Sequence, residues 1–293
     1  MLLQEFCGWT MSHESIRQAC YDESKAMAAW RAKSTEAWPA TLPNSTMEFQ
    51  TDATKVNTTA GWRDMKIALF CQRTNAESCD ADAWLTRELP APTRRMAFGA
   101  IEEIETFQTR WRSWAQRLGL TSCEELHIVA DGADWIWNAA TVQFPGHAGV
   151  LDIFHASEHI ADTSKILHGE GTDACRAWHE ATRMAVLRDG WYGLQEEIGK
   201  VLSRPLTETS RQSIEAMTAY FAGQQTRLNY RRCLSRGRSI GSGQIEGACK
   251  HMIGQRMKQT GARWVVANAN RMVELTCLGY SHQWHDYWAA TAA

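Results

Sequence analysis

Hydrophobic positions repeat with two different periods along the 293-residue chain. Residues 11–36, MSHESIRQACYDESKAMAAWRAKSTE, place Ile16, Cys20 and Met27 at helical spacing behind a Ser12, Glu14, Ser15 start, and predict a helix. WPATLPNS then breaks the pattern with two prolines and predicts a linker near 38–45. MEFQTDATKV and WRDMKIALFCQR have strand character and are joined by NTTAG, a polar connection of hairpin length; RRMAFGAI predicts a third strand. Over 102–118, Ile104, Phe107, Trp111, Trp114 and Leu118 recur at helical spacing, an amphipathic helix closed by Gly119. ELHIVAD reads as a buried strand ending on Asp131, GADWIWNAA as the start of a helix, AGVLDIF as another apolar strand and HASEHIADTSKIL as another helix. Strand, helix, strand, helix in that order predicts parallel neighbours in an α/β sheet. From about 171 to 236 no strand pattern occurs: DACRAWHEATRMAVLRD and RQSIEAMTAYFAGQQTRLNY predict a helical block around a turn at Pro205.

Composition adds bounds rather than a function. The length suits one large domain or two modest ones, and 44% hydrophobic with 22% charged residues is ordinary for a soluble globular protein. No apolar run approaches the roughly 18–20 residues of a membrane helix, and the first residues lack a charged-then-apolar secretion signal. The nine cysteines are odd in number and never form CxxC, which suits small buried residues in a reducing compartment, so the expected location is cytoplasmic. Net charge is −2, but Phe221–Trp264 holds nine Lys/Arg against one acid, leaving about −10 elsewhere. Such a stretch is either a surface that meets phosphates or a solvated, arginine-rich helix face. Most of the tryptophans, Trp137 and Trp264 included, are expected to fill core or helix seams.

Three carboxylates occupy special places in this pattern. Asp52 lies inside a strand-like segment, where aspartate is disfavoured. Asp131 ends a hydrophobic strand directly before a glycine and a helix, the end at which open α/β sheets bind ligands. Glu246 opens a predicted helix after Gly241-Ser242-Gly243, in the middle of the cationic stretch. A buried acid is costly unless it is paired or holds a cation. Acids converging on one site repel unless a divalent ion neutralises them, and carboxylate oxygens with room for water suit Mg²⁺. Two such ions, about 3.5–4 Å apart, serve phosphodiester chemistry by activating the attacking hydroxyl and stabilising the leaving oxygen. A plainer reading exists for each acid: Asp52 as an exposed hairpin residue, Asp131 as a helix cap, Glu246 as an i,i+4 partner of Lys250.

The blocks DATKVNTTAGWRDMKIALF, VADGADWIWNAATVQFPG, LDIFHASEHI and GSGQIEGACKHMIGQRMKQTGARW resemble, in order, the catalytic blocks of bacterial insertion-sequence DDE transposases of the ISKra type, relatives of the Mutator-like group. They run from about 47 to 264. The resemblance implies an α/β fold, a ribonuclease-H-like mixed sheet flanked by helices, with an all-helical insertion before the last catalytic helix. In it Asp52, Asp131 and Glu246 match the triad that holds Mg²⁺ or Mn²⁺, two ions per site. Asp152 and His155 match a D-x-x-H pair in which the histidine orients a phosphate or leaving group; a helix-start histidine bonded to Asp152 is the plain alternative. Asp152 and His159 are expected to support the catalytic groups, and Arg238, Lys250, Arg256, Lys258 and Arg263 to contact DNA.

The implied activity is metal-dependent phosphodiester cleavage and strand transfer in DNA transposition. Its implied partners are transposon ends and target DNA, bound by a homo-oligomer with no membrane association, in the cytoplasm and on the nucleoid when DNA-bound. The expected organisation is an N-terminal helical segment (1–45), the first part of the catalytic core (46–170), a helical insertion (171–236) and the returning core with the glutamate helix (237–293). Relatives carry a longer N-terminal region with paired cysteines, and nothing of that kind precedes Asp52. A truncated copy is therefore expected, with a catalytically inactive DNA-binding remnant as the alternative. DAT also stands where relatives often show DG after the first aspartate.

Overall fold

In this computed structural model, residues 10–34, 44–120 and 126–291 are described. Strands β1 (Ser45–Thr58) and β2 (Gly61–Thr74), each 14 residues long, form a hairpin turning at Thr59–Ala60. Gly61 closes the turn at φ 89, a left-handed conformation that costs a side-chain-bearing residue energy. Strand β3 (Arg94–Ala100) pairs antiparallel with β2, whereas β4 (Leu126–Ala130) and β5 (Gly149–Leu151) extend the other side in parallel with β1. The order is β3-β2-β1-β4-β5. A five-stranded mixed sheet flanked by helices is compatible with a ribonuclease-H-like fold.

The helices follow from the sheet's two apolar faces. Helix α1 (His13–Lys33) is capped by Ser12, whose hydroxyl accepts from the Ser15 amide at 3.0 Å. The expected helix over 102–118 divides into α2 (Ile104–Phe107) and α3 (Thr109–Arg117), while Phe107 and Trp111 still point to one core. With α4 (Asp134–Gln143) they cover one face, built on Phe49, Phe70, Phe98, Trp111 and Phe144. The expected strand AGVLDIF stops at Leu151, because Asp152 caps α5 (Ile153–His168) by accepting from the Phe154 and His155 amides.

On the opposite face, Val129, Val150 and Leu151 pack under α5 and four more helices: α6 (Asp173–Asp189), α7 (Trp191–Leu202), α8 (Glu208–Gln224) and α9 (Tyr230–Ser235). Beside them, β1–β3 are covered by α10 (Gly243–Cys249), a π turn (Lys250–Gly254), α11 (Gln255–Met257) and α12 (Val266–Tyr280). The single helix expected after Glu246 is thus interrupted after two turns. Helix α13 (Trp284–Thr291) ends the described chain, and α1 packs on α12 around Met27 and Leu278. Pro39 and Pro43, which carry the expected linker, lie outside the described residues. All seven described cysteines are free thiols, five of them buried. Among the described residues no helix is long and apolar enough to cross a membrane.

The free edge of the sheet is occupied by side chains. Along β3, the Ala97 amide donates to Ser281 Oγ at 2.9 Å, the Ala97 carbonyl accepts from Arg31 at 2.6 Å, and the Ile101 amide donates to Asn270 at 2.8 Å. These bonds cover backbone groups that would otherwise offer a template for another strand.

Candidate active site

One transverse row of the sheet carries the candidate chemistry. Asp52 pairs with Ile67 and Ile67 with Gly99. On the parallel side, Gln50 pairs with Val129, and the same offset carried two residues further sets Asp131 beside Asp52. Ala130 pairs with Leu151, so one residue further sets Asp152 beside Asp131; the Asp152 amide donates to the Ala130 carbonyl at 2.8 Å. Three aspartates therefore stand abreast at the C-terminal ends of β4 and β5 and midway along the longer β1. Because β-strand side chains alternate, Gln50, Asp52, Val129 and Asp131 share the face that α10 covers.

Glu246 approaches this row from above. Its helix is tied to the sheet at both ends of its first turn: the Ile245 amide donates to Gln50 Oε1 at 2.9 Å, and the Ser242 amide donates to Asp152 Oδ2. Ser242 Oγ donates to Glu246 Oε1 at 3.0 Å. Below, a buried polar network holds the returning chain, with Ser239 Oγ donating to Glu48 Oε2 at 2.5 Å, Gln50 Nε2 donating to Glu48 Oε1, and His127 Nε2 bonded to the Ser239 carbonyl at 2.8 Å. Each of these partners is almost wholly buried, so the network must be satisfied as a unit.

The electrostatics show which groups feel one another. Burial raises the Asp52 pKa; the Ala53 amide offsets part of this, and the charges of Asp131 and Glu246 push it further up. Burial alone would raise Asp152, but hydrogen bonds from His155 and Ser242 outweigh it and hold the group below the usual carboxylate range. The Asp152 carboxylate in turn raises His155 to about 9 against the cost of burial, with Asp131 adding to the effect. This shift favours the imidazolium at neutral pH, with His155 Nδ1 3.5 Å from Asp152 Oδ1, an ion-pair distance rather than a short hydrogen bond. The Cys249 thiol, 4.0 Å from Asp52 Oδ2, is pushed up to about 12 by burial and by Asp52, so it stays neutral.

Among the described residues, the group of donor atoms lying within 4.8 Å of one another is Asp152, His155 and Glu246, not the expected three carboxylates. This group can hold a metal ion by distance. Within it the Asp152 oxygens already accept three backbone amides, which leaves that carboxylate less to offer an ion. Asp52, Asp131 and Glu246 differ. Each has one oxygen engaged, by the Ala53 amide, the Ala133 amide and the Ser242 hydroxyl respectively. Among the described residues the second oxygen of Asp131 and of Glu246 takes no hydrogen bond, and that of Asp52 meets only the distant thiol. Two half-buried aspartates and an exposed glutamate, the charges of Asp131 and Glu246 both acting against Asp52, offer carboxylate oxygens of the kind a hard divalent cation takes.

The helical block reaches this row through α8. The Tyr220 ring stacks on His159 with centroids 3.7 Å apart, and a Cβ at Gly132 would lie 2.4 Å from the tyrosine oxygen. Only glycine at position 132 admits this approach. Burial and the nearby Asp131 and Asp152 raise the Tyr220 phenol, so it remains a neutral donor beside Asp131. Gln224 Nε2 donates to the Gly132 carbonyl at 3.2 Å. Burial lowers the His159 pKa.

The five cations expected to contact DNA do not form one surface. Lys250 and Arg256 are exposed, and Lys258 donates to Thr54, two residues beyond Asp52. Arg263 donates to the Thr58 and Thr59 carbonyls at 3.3 Å and braces the hairpin. Arg238 lines a small cavity with His127 and Gly149, near the opposite ends of β4 and β5 from the aspartates. Trp137 and Trp264 are packing residues, with indole nitrogens donating to the Asp131 and Met257 carbonyls.

Sequence reasoning passed over Glu48, Gln50, Ser239, Ser242 and Tyr220. A signal existed for two of them, because Glu48 and Gln50 precede Asp52 at a two-residue period. Compared with known proteins, the chain matches no family model and no curated relative.

Proposed function

We propose that this protein is a DNA transposase, cleaving a phosphodiester at an element end and joining the freed 3′-hydroxyl to target DNA. What supports the reading is that Asp52 and Asp131 stand side by side on β1 and at the end of β4, with Glu246 close enough for its charge to act on Asp52, each carboxylate keeping an oxygen to spare. Asp52, Asp131 and Glu246 would hold Mg²⁺ or Mn²⁺, which supplies Lewis-acid activation and neutralises developing charge when bound. His155, kept protonated by Asp152, donates to a phosphate oxygen or leaving group and does not act as a base. Asp152 and Gln50 fix the glutamate helix, and Tyr220 offers a neutral hydroxyl beside Asp131. Lys250, Arg256 and Lys258 present charge to the DNA backbone. In this reading α6–α9 form an insertion into a ribonuclease-H-like core ahead of the glutamate helix, and the active species is a homo-oligomer on DNA.

The test is nicking of supercoiled plasmid with Mn²⁺ or Mg²⁺. Wild-type protein nicks, Asp131→Asn loses about 10³-fold or more while still binding DNA, and a joined-product assay detects strand transfer. Wild-type protein that binds DNA equally with and without metal and never nicks overturns the enzyme and leaves a DNA-binding remnant.

A further inference from the structure

A second charged feature lies at the other end of the transverse row. Beside β3, helices α1, α3 and α12 wall an open cleft of about 440 Å³ with Gly99 in its floor. Five cations line it, Lys25, Arg31, Arg110, Arg117 and Arg271, against one carboxylate, Glu274. None of them belongs to the cationic stretch near Glu246.

Their charges are unevenly answered. Arg31 is buried and fully committed, with bonds to Gln283 at 3.0 Å, Glu274 at 2.7 Å and the Ala97 carbonyl at 2.6 Å. Arg110 is neutralised by Glu102 at 2.8 Å. Lys25 has only an exposed pair with Asp22 at 3.5 Å, a contact worth little in water. Arg117 and Arg271 have no carboxylate partner within ion-pair distance among the described residues, although Asp22 lies within electrostatic reach of Arg271. Arg117 sits over the Trp114 ring at 4.1 Å, bound to the carbonyls of Arg31 and Ser34. Burial and the Arg31 charge both lower its pKa, so the fold holds like charges together at a cost. Arg271 is held on the facing wall by Asn268 at 3.1 Å and over Tyr21. An anion in the cleft would relieve that repulsion.

We propose that this cleft is a second DNA-contact surface, holding the sugar–phosphate backbone of the DNA that the carboxylate row acts on. Gly99 is in register with Asp52 through Ile67, two strand spacings or about 10 Å away. Ile67 between them is fully buried beneath α10 and α12, so DNA in the cleft would reach the row over the outside of these helices. Cations from three separate helices around an open cleft suit repeated phosphates better than a single small anion. The proposal rests on DNA as the substrate but not on the cleavage chemistry.

The experiment measures binding of a 40-base-pair duplex by fluorescence anisotropy in EDTA, across a salt series. Lys25→Ala/Arg271→Ala should weaken binding about 10-fold near 0.15 M salt and lower the slope of log K against log salt by about two. Lys25→Glu/Arg271→Glu should weaken it further, with both melting temperatures unchanged. An unchanged slope in folded double variants overturns the cleft while leaving the transposase reading in place. Cleft-dependent binding of polyglutamate without loss of duplex binding also overturns it, pointing to an acidic protein partner. Wild-type protein that binds no duplex overturns both readings. A reduced slope in a protein that never nicks supports the cleft and removes only the chemistry.

Discussion

The two faces of β1 are alike in burial and opposite in chemistry. At the odd position 49, Phe49 meets Phe70, Trp111 and Phe144 with ring centroids 4.8–5.1 Å apart. At the even positions Glu48 and Gln50 are just as buried, yet carry a carboxylate and an amide, with Asp52 following. The first face stabilises the molecule wherever its rings pack well. The second contributes little net stability per hydrogen bond and instead fixes where Glu246 stands relative to Asp52 and Asp131.

Substitutions on the two faces should therefore fail in different ways. The largest stability effect is expected for Phe49→Ala, about 3–5 kcal/mol in chemical denaturation and roughly 10 °C in melting temperature. Nicking per folded molecule should stay near wild type. Gln50→Leu keeps the volume but leaves the buried Ile245 amide and Glu48 Oε1 without their Gln50 partner. It should cost about 1–3 kcal/mol while lowering nicking about 10–100-fold, since the glutamate helix loses an anchor. If both variants lose activity only in proportion to unfolding, the division between the faces is wrong.

The smallest effect concerns His155. Its pKa rises from 6.5 to about 9 on folding. A group raised in this way contributes stability that is complete below about pH 6.5 and lost as pH climbs through about 9. Wild type should exceed His155→Asn by up to about 1 kcal/mol near pH 6, because a side chain 40% exposed is screened by solvent. The gap should close by pH 10 in denaturant melts. A gap that widens with pH would mean that the histidine is neutral in the folded protein.

Much of this was legible in residue patterns, and the remainder was hidden for identifiable reasons. Strand character either side of a polar connection of hairpin length marked β1 and β2, and the apolar run before Asp131 marked β4. The end of β5 was obscured because Ile153 and Phe154 continue the apolar run, although Asp152 has already turned the chain into a helix. An alternating polar face normally reads as solvent-facing. Here it is buried by a segment some 190 residues away in sequence, which no local pattern reports. The cationic stretch misled in the opposite sense, because charge dense in sequence disperses in space. Arg227 lies over Trp137, Arg238 lines a far cavity and Arg263 braces a turn. The cations that do gather around a cleft come from residues 25 to 271 and form no run at all.

The latch made by Asp152 has a consequence for how the protein is born. One inaccessible carboxylate joins the tip of β5, the start of α5 and the turn before α10, and its partner Ser242 lies 90 residues downstream. A nascent chain can form its first hairpin early, but the third acid arrives only when nearly the whole molecule has left the ribosome. Incomplete copies therefore carry two aspartates without the glutamate, and the full acidic grouping exists only in a finished chain.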